Sequence, residues 1–387
     1  MRKVYLDHAA TTPLHTEVFA AMKPYFTEHY GNPSSVYAIG REARKAVDEA
    51  REKVAAALGA EPQEIIFTSG ATESNNLAIR GTARALQHKG KHIITCAVEH
   101  HAVLDTCLAL QKEGFEVTVL PVDEYGLVSV KDLETALREQ TILVTIMMAN
   151  NEVGTVMPTA EIGRLCQERG IVFHTDAVQA IGKLPVDVNE LHVDLLSLSA
   201  HKFYGPKGIG ALYVRKGTRL SSYHFGGAQE RKIRPGTENV PGIVGLGKAI
   251  ELATSQMEEK NKRIKALRDK LKDGVLAIPH TRLNGHPERR LPGNLNVSIL
   301  YVEGESLILS LDLKGIAVSS GSACTSGSLD PSHVLLAMGL DHQTAHGSLR
   351  FTLGDDNTEE EIDYVLEVLP EIVARLRSMS PVYEGNK

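Results

Sequence analysis

Between Glu64 and Val214 the sequence alternates short apolar runs with longer segments of helical periodicity, and that alternation leaves few folds open. Apolar runs at 65–67, 92–97 and 115–120 are each followed by a helical segment, at 75–86, 102–111 and 131–138. The series continues with runs at 142–148, 171–174, 193–198 and 209–214 and a helix near 160–168. Such a pattern predicts a large, mainly parallel, doubly wound α/β sheet whose strand ends carry the site. A Lys- and Glu-rich stretch at 254–276, with apolar residues at helical spacing, predicts one long helix leading out of that sheet. Strands around 295–300 and 348–353, with helices at 306–313 and 359–377, predict a second, smaller unit after it.

Composition narrows the partners. The 387 residues are 42% hydrophobic, enough for a substantial core, and the net charge of -6 comes from 48 acidic against 42 basic residues spread along the chain. No basic field exists to hold nucleic acid or an anionic membrane surface. Met1-Arg2-Lys3 places charge before any apolar run, so no secretory signal is expected, and no apolar stretch approaches membrane-spanning length. Cys96, Cys107, Cys166 and Cys324 lack CxxC spacing, which argues against a disulfide framework and a structural zinc site and fits a reduced compartment, the cytoplasm. A metal-dependent hydrolase would draw on the 16 histidines, but His100-His101 and His201 lack ligand spacing such as HxxxH, and no metal is expected.

Three segments carry chemistry. In Ser197-Leu198-Ser199-Ala200-His201-Lys202-Phe203-Tyr204-Gly205-Pro206 a lysine follows an apolar strand and precedes a forced turn, which puts an amine at a strand end facing a cleft. Thr68-Ser69-Gly70-Ala71-Thr72-Glu73-Ser74-Asn75 follows a strand and opens a helix, so its backbone N–H groups form an anion cradle, although capping by Ser69 or Thr72 explains the segment equally well on its own. Asp176 ends the 171–174 strand, where a carboxylate needs a cation, and Lys202 lies on the next strand. A carboxylate at one edge of a protonated pyridine ring and a lysine at its aldehyde is the arrangement that pyridoxal 5'-phosphate needs. Gln179, one turn on, is placed to hydrogen-bond the ring's phenolic oxygen, and His100, at the end of its own strand, to stack on the ring.

Together with Tyr5-Leu6-Asp7-His8-Ala9-Ala10-Thr11-Thr12, Gly31-Asn32-Pro33-Ser34-Ser35, Asn150-Asn151-Glu152-Val153-Gly154 and Arg234-Pro235-Gly236-Thr237-Glu238-Asn239, these segments closely resemble the cysteine desulfurases of the NifS/IscS type over nearly the entire chain. The resemblance implies a fold-type I pyridoxal phosphate enzyme of the class V aminotransferase family. It implies a large domain over 15–257 with a mainly parallel seven-stranded sheet, and a smaller α+β domain made of 1–14 and 258–387. It further implies a homodimer that removes sulfur from L-cysteine, leaves alanine and holds the sulfur as a persulfide. Lys202 would be the Schiff-base lysine, Asp176 the partner of the pyridine nitrogen, Gln179 that of the phenolic oxygen and His100 the stacking ring and proton carrier. Ala71, Thr72, Ser199 and His201 would hold the phosphate, with Thr237 reaching in from the other subunit. Asn151 would lie near cofactor and substrate, and Arg350, with Asn32, would bind the substrate carboxylate.

Cys324 sits in a run of small residues, Val318-Ser319-Ser320-Gly321-Ser322-Ala323-Cys324-Thr325-Ser326-Gly327-Ser328, which gives it no apolar anchor and predicts a mobile segment with an exposed thiol. Cys96, Cys107 and Cys166 sit on a strand and apolar helix faces, where burial is expected. In the family the matching segment carries the sulfur-accepting cysteine. Its length here is that of the NifS/IscS branch, which implies direct delivery to an iron-sulfur scaffold protein or another sulfur acceptor. A selenocysteine lyase or related beta-lyase is the competing pyridoxal enzyme. A binding platform without catalysis is disfavoured by the joint presence of Lys202, Asp176 and Cys324.

Overall fold

The computed structural model describes residues 3–320, 331–381 and 383; Cys324 lies outside them. The chain opens with a two-residue strand, β1 (Val4–Tyr5), and then supplies β2 (Ile65–Thr68), β3 (His92–Cys96), β4 (Glu116–Leu120), β5 (Thr141–Thr145), β6 (Val172–Asp176), β7 (Leu195–Ser199) and β8 (Gly210–Val214). β2 to β8 form one seven-stranded sheet in the order β2-β8-β7-β6-β5-β3-β4. β8 runs antiparallel to both its neighbours and the remaining pairs are parallel, as the alternation predicts. Every residue of β2, β3, β5 and β7 is buried, which is why these strands read as continuous apolar runs rather than alternating ones.

Past this sheet, β9 (Thr281–Asn284), β10 (Asn294–Ile299) and β12 (Ser348–Thr352) form a three-stranded antiparallel sheet in the order β12-β10-β9, while β11 (Ile316–Ala317) pairs in parallel with β1. The N-terminal strand thus belongs with the C-terminal elements. Their apolar side chains share one cluster in which Val4 and Leu6 pack with Leu295, Leu349, Phe351 and Leu369. A second, larger cluster lies around the seven-stranded sheet and includes Val334, Leu335 and Ala345 from far along the chain.

The long helix expected over 254–276 is present as Met257–Leu276, and Thr254 and Ser255 close a separate helix before it, Val240–Ser255, with the break at Gln256. Thr254 and Ser255 turn their hydroxyls back onto the carbonyls of Ile250 and Leu252, local bonds that compete with helix continuation. The two helices also serve different cores, the first burying Ile243 and Leu246 in the larger cluster and the second Leu271 and Val275 in the smaller. Before the sheet, the helix Ala38–Leu58 packs its buried face of Ala43, Val47, Ala50 and Val54 against Val240–Ser255. It precedes the strand–helix alternation, which therefore does not predict it.

One buried ion pair ties this helix to a segment near the site. Arg51 forks onto Glu230 at 2.7 and 2.8 Å, donates to the Ile65 carbonyl at 2.7 Å and lies over the Phe67 ring. Glu230 also accepts from the Phe67 N–H at 3.0 Å. The pair holds Glu230, Arg231 and Lys232 in left-handed backbone, with φ of 43°, 57° and 66°, a conformation that side-chain-bearing residues adopt at a cost. Arg51→Met leaves the Glu230 carboxylate buried without its cation, and we expect about 3–5 kcal/mol of lost stability, read as a lowered midpoint in urea unfolding. A midpoint unchanged from the parent would mean that the pair contributes nothing.

Candidate active site

The cleft is built where strand ends meet helix starts. Asp176 is the last residue of β6 and Ser199 the last of β7, and the two strands run parallel with Asp176 opposite Ser197. Residues 200–202 turn as a short 3-10 helix that carries Lys202 beyond the strand end. Gly70, between β2 and the helix Ala71–Leu86, takes φ of 152°, and the backbone of Gly70 passes so close to Gly210 of β8 that a side chain at 210 would overlap it. These two glycines let the helix start directly above the sheet with its first N–H groups directed to the cleft. His100 caps the helix His101–Lys112, its Nδ1 accepting the Ala102 N–H at 3.0 Å.

A cavity of about 600 Å³ results, and Ala71, Thr72, His100, Asn151, Asp176, Gln179, Ser199, His201, Lys202 and Arg350 all border it. The structure therefore brings ten of the expected site residues to one place. Asn32 and Thr237 do not border it. Asn32 is exposed, its Oδ1 accepting the Ser34 N–H at 2.9 Å. Thr237 is exposed and lines an adjoining open cleft that shares Ser69, Thr72 and Glu73 with the first.

Two polar clusters organise the cavity. The Asp176 carboxylate, 6% exposed, accepts from Asn75 Nδ2 at 2.7 Å and from the Val178 N–H at 3.0 Å, an orientation that fixes a buried anion at the end of a central strand. The Lys202 Nζ donates to the carbonyls of Ala9 and Ala10 at 2.5 and 2.7 Å. The N-terminal segment continues past it, with Thr12 bonded through its N–H and its hydroxyl to the His201 carbonyl and Thr11 to His201 Nδ1 at 3.1 Å. Burial, with help from Lys202 and Lys207, pushes His201 down to about 4, so its ring is neutral near pH 7 and offers one N–H to an anion rather than a full charge.

Arg350, 2% exposed, pairs with Asp7 at 2.8 Å and donates to the Asn151 carbonyl at 3.1 Å. Its Nε is buried with no partner, so the guanidinium has donor capacity that the protein does not use. The described residues on each side of 321–330 attach nearby. Ser319 pairs with Arg350 through both backbone groups, and Ser332 donates its hydroxyl to Glu152, next to Asn151. Burial pushes Glu152 up to about 7 and the neighbouring Glu99, beside His100, up to about 8. Cys96, Cys107 and Cys166 are buried, and burial raises each thiol above its ordinary value, which suits packing rather than nucleophilic chemistry.

The residues fit pyridoxal phosphate. A carboxylate held by two hydrogen bonds, an amine, the first residues of a helix, Ser199 and a neutral histidine all border one cavity. Asp7, Asn75, Glu99 and Lys183 are polar groups in or beside this arrangement to which the sequence reading gives no role. Asp7 and Arg350 are 343 positions apart, so spacing carries no signal of their pairing. Lys183 leaves no trace either, since it and Gln179 lie in turns rather than on a helix.

The aminotransferase class-V model matches residues 4–365. The chain belongs to the class-V aminotransferase family. It is 60% identical over 381 residues to a cysteine desulfurase IscS of Methanosarcina thermophila, covering 98% of this chain and 94% of that one. It superimposes on a solved NifS-like protein with a TM-score of 0.92 at 42% identity, covering 97% and 100% of the two chains. A third similarity is to the structure of SspA in complex with cysteine, TM-score 0.81 and 38% identity over 92% of this chain and 100% of that one. This class-V chain carries the α/β fold of those relatives, with the mostly parallel sheet that their cleft is built on. Among the described residues, no helix is long and apolar enough to cross a membrane, and no group of three His, Cys, Asp or Glu could hold a metal ion.

Proposed function

We propose that this chain is a pyridoxal phosphate-dependent cysteine desulfurase that converts L-cysteine to L-alanine and stores the sulfur as a persulfide on Cys324. The observation that carries the reading is the single cavity shared by Lys202, Asp176, the N-terminus of the helix Ala71–Leu86 and Arg350. Ala71, Thr72, Ser199 and His201 would hold the phosphate, Asp176 the ring nitrogen, Gln179 the phenolic oxygen, His100 and Asn151 the ring's surroundings and Lys202 the carbonyl carbon. Bound there, the cofactor supplies an electron sink for charge that develops at the α carbon of an amino acid.

The rest is done by the chain. Arg350 fixes the substrate carboxylate, and a guanidinium already clamped between Asp7 and the Asn151 carbonyl holds it without first having to be ordered. Lys202 takes the α proton once its amine is released, and the Ala9 and Ala10 carbonyls keep Nζ at the mouth of the strand-end turn. His100, partly buried at the cavity wall and accepting the Ala102 N–H at Nδ1, is the imidazole placed to move protons there. The Cys324 thiolate then forms the S–S bond to the substrate sulfur as the carbon–sulfur bond breaks, and the β carbon ends with an added proton, giving alanine. Ser319 and Ser332, on either side of the segment that contains Cys324, bond to Arg350 and to Glu152.

The reading includes a homodimer, in which Thr237 of one copy serves the phosphate site of the other, and Asn32 beside the substrate. It includes the division into 15–257 and 1–14 with 258–387, delivery of sulfur to an iron-sulfur scaffold protein or other acceptor, and the cytoplasm, where three buried thiols stay reduced. The test is to load purified protein with pyridoxal phosphate, add L-cysteine and a thiol reductant, and quantify alanine and sulfide beside Cys324→Ala. Equal amounts of both products from the parent, with cofactor uptake retained but turnover below about 1% in the variant, are expected. A variant that still turns over would instead support a beta-lyase, and a parent without a near-visible absorption band would end the pyridoxal reading.

A further inference from the structure

A second, smaller cavity of about 50 Å³ shares Ala9, Gln179 and Lys202 with the main cleft and is also bordered by Lys183, Tyr204 and Asn261. Lys183 reaches Gln179. Its Nζ donates to Gln179 Oε1 at 3.0 Å, while Gln179 Nε2 donates to the Ala9 carbonyl at 3.0 Å. The same carbonyl accepts from Lys202, so Lys183, Gln179, Ala9 and Lys202 form one continuous chain of hydrogen bonds.

We propose that Lys183 is a positioning residue that fixes which face of the Gln179 amide is presented to the cleft, and through it the recognition of the cofactor's ring oxygen. The inference rests on the pyridoxal reading of the cleft and adds to it a residue to which that reading gives no part. The two bonds at Gln179 agree on one orientation. With the amide turned over, its NH₂ would face the Lys183 donors and its oxygen would face the Ala9 carbonyl, which is donor against donor and acceptor against acceptor. In the orientation held, one Nε2 proton goes to Ala9 and the other remains for the cleft, which is what an anionic phenolic oxygen needs. Gln179 is 5% exposed, so water cannot readily take over the part of Lys183.

The geometry also explains why a lysine is tolerated there. Burial, with Lys202 and Arg350 nearby, pushes Lys183 down to about 7. An amine that gives up its charge near neutrality still donates an N–H to Oε1, so the amide stays oriented in either state.

A double-mutant cycle with cofactor binding as its readout tests this. Apo protein is titrated with pyridoxal 5'-phosphate and followed by near-visible absorption for the parent, Lys183→Met, Gln179→Ala, the double variant and Lys183→Gln, which keeps a donor at that place. We expect Lys183→Met and Gln179→Ala each to weaken cofactor retention about tenfold. The double variant should be no weaker than Gln179→Ala, and Lys183→Gln should stay within about threefold of the parent. Three results would overturn the role: a Lys183→Met that retains cofactor like the parent, a double variant that loses the product of both single effects, or a Lys183→Gln as weak as Lys183→Met. A parent that takes up no cofactor would fell the pyridoxal reading itself, and this inference with it.

Discussion

Lys202→Ala should abolish turnover, with the rate of alanine formation falling by at least about 10⁴-fold, while the protein still folds. The side chain donates to two backbone carbonyls of the N-terminal segment, and those residues border a cavity where water can replace the ammonium. Lys202→Arg should be equally inactive, because a guanidinium stays protonated and neither attacks a carbonyl nor accepts an α proton. The measurement is alanine released per hour under saturating L-cysteine, with thermal unfolding as the control for folding. Residual activity above about 1% in either variant would mean that another group takes the proton and that the strand-end lysine has been misassigned.

Asp176→Asn is the second large effect. The substitution keeps the shape of the side chain, and its neighbour can adapt, since the Asn75 Oδ1 is buried without a partner and an exchange of the Asn75 amide ends would turn that oxygen toward the new NH₂. Stability should therefore change little, by about 1 kcal/mol or less. The negative charge is lost, however, and with it the force that keeps a ring nitrogen protonated. We expect kcat to fall roughly 10³-fold with KM nearly unchanged, as when a preorganised electrostatic group is removed from a reaction centre. A loss confined to KM would place Asp176 in substrate binding instead.

The sequence makes the sheet legible because its strands are buried on both faces, so apolar runs mark them without ambiguity. Lys202 and Asp176 are legible for a related reason. Each ends or follows such a run, and parallel neighbours β6 and β7 bring their ends together without any further information. Arg350 is different. Its strand, β12, belongs to another sheet, and its place in the cleft depends on Asp7, on the Asn151 carbonyl and on the backbone bridge to Ser319, contacts between distant parts of the chain that no local pattern encodes. Only resemblance to a family pointed to it. The helix Met257–Leu276 was legible from its charge and spacing, whereas the apolar helix before it, Val240–Ser255, was not, because its place in the larger core is a tertiary fact. Lys183 carries no such signal, since it and Gln179 lie in turns, and its donor role depends on how those turns fold back against the Ala9 carbonyl.

The crossing of residues 7–12 over the strand-end lysine sets an order of events during translation. β1 can pair only with β11, His8 and Ala9 bond to Thr352, and Asp7 bonds to Arg350. A ribosome releases the N-terminal segment first and Ser348–Thr352 almost last. The seven strands between them, and the bonds of residues 9–12 to His201 and Lys202, can form while the chain is still being made. Asp7 has no Arg350 to bond, and the cleft no guanidinium, until β12 emerges. Completion of the carboxylate-binding side of the cleft therefore waits on the pairing of residues 4–9 with 316–352.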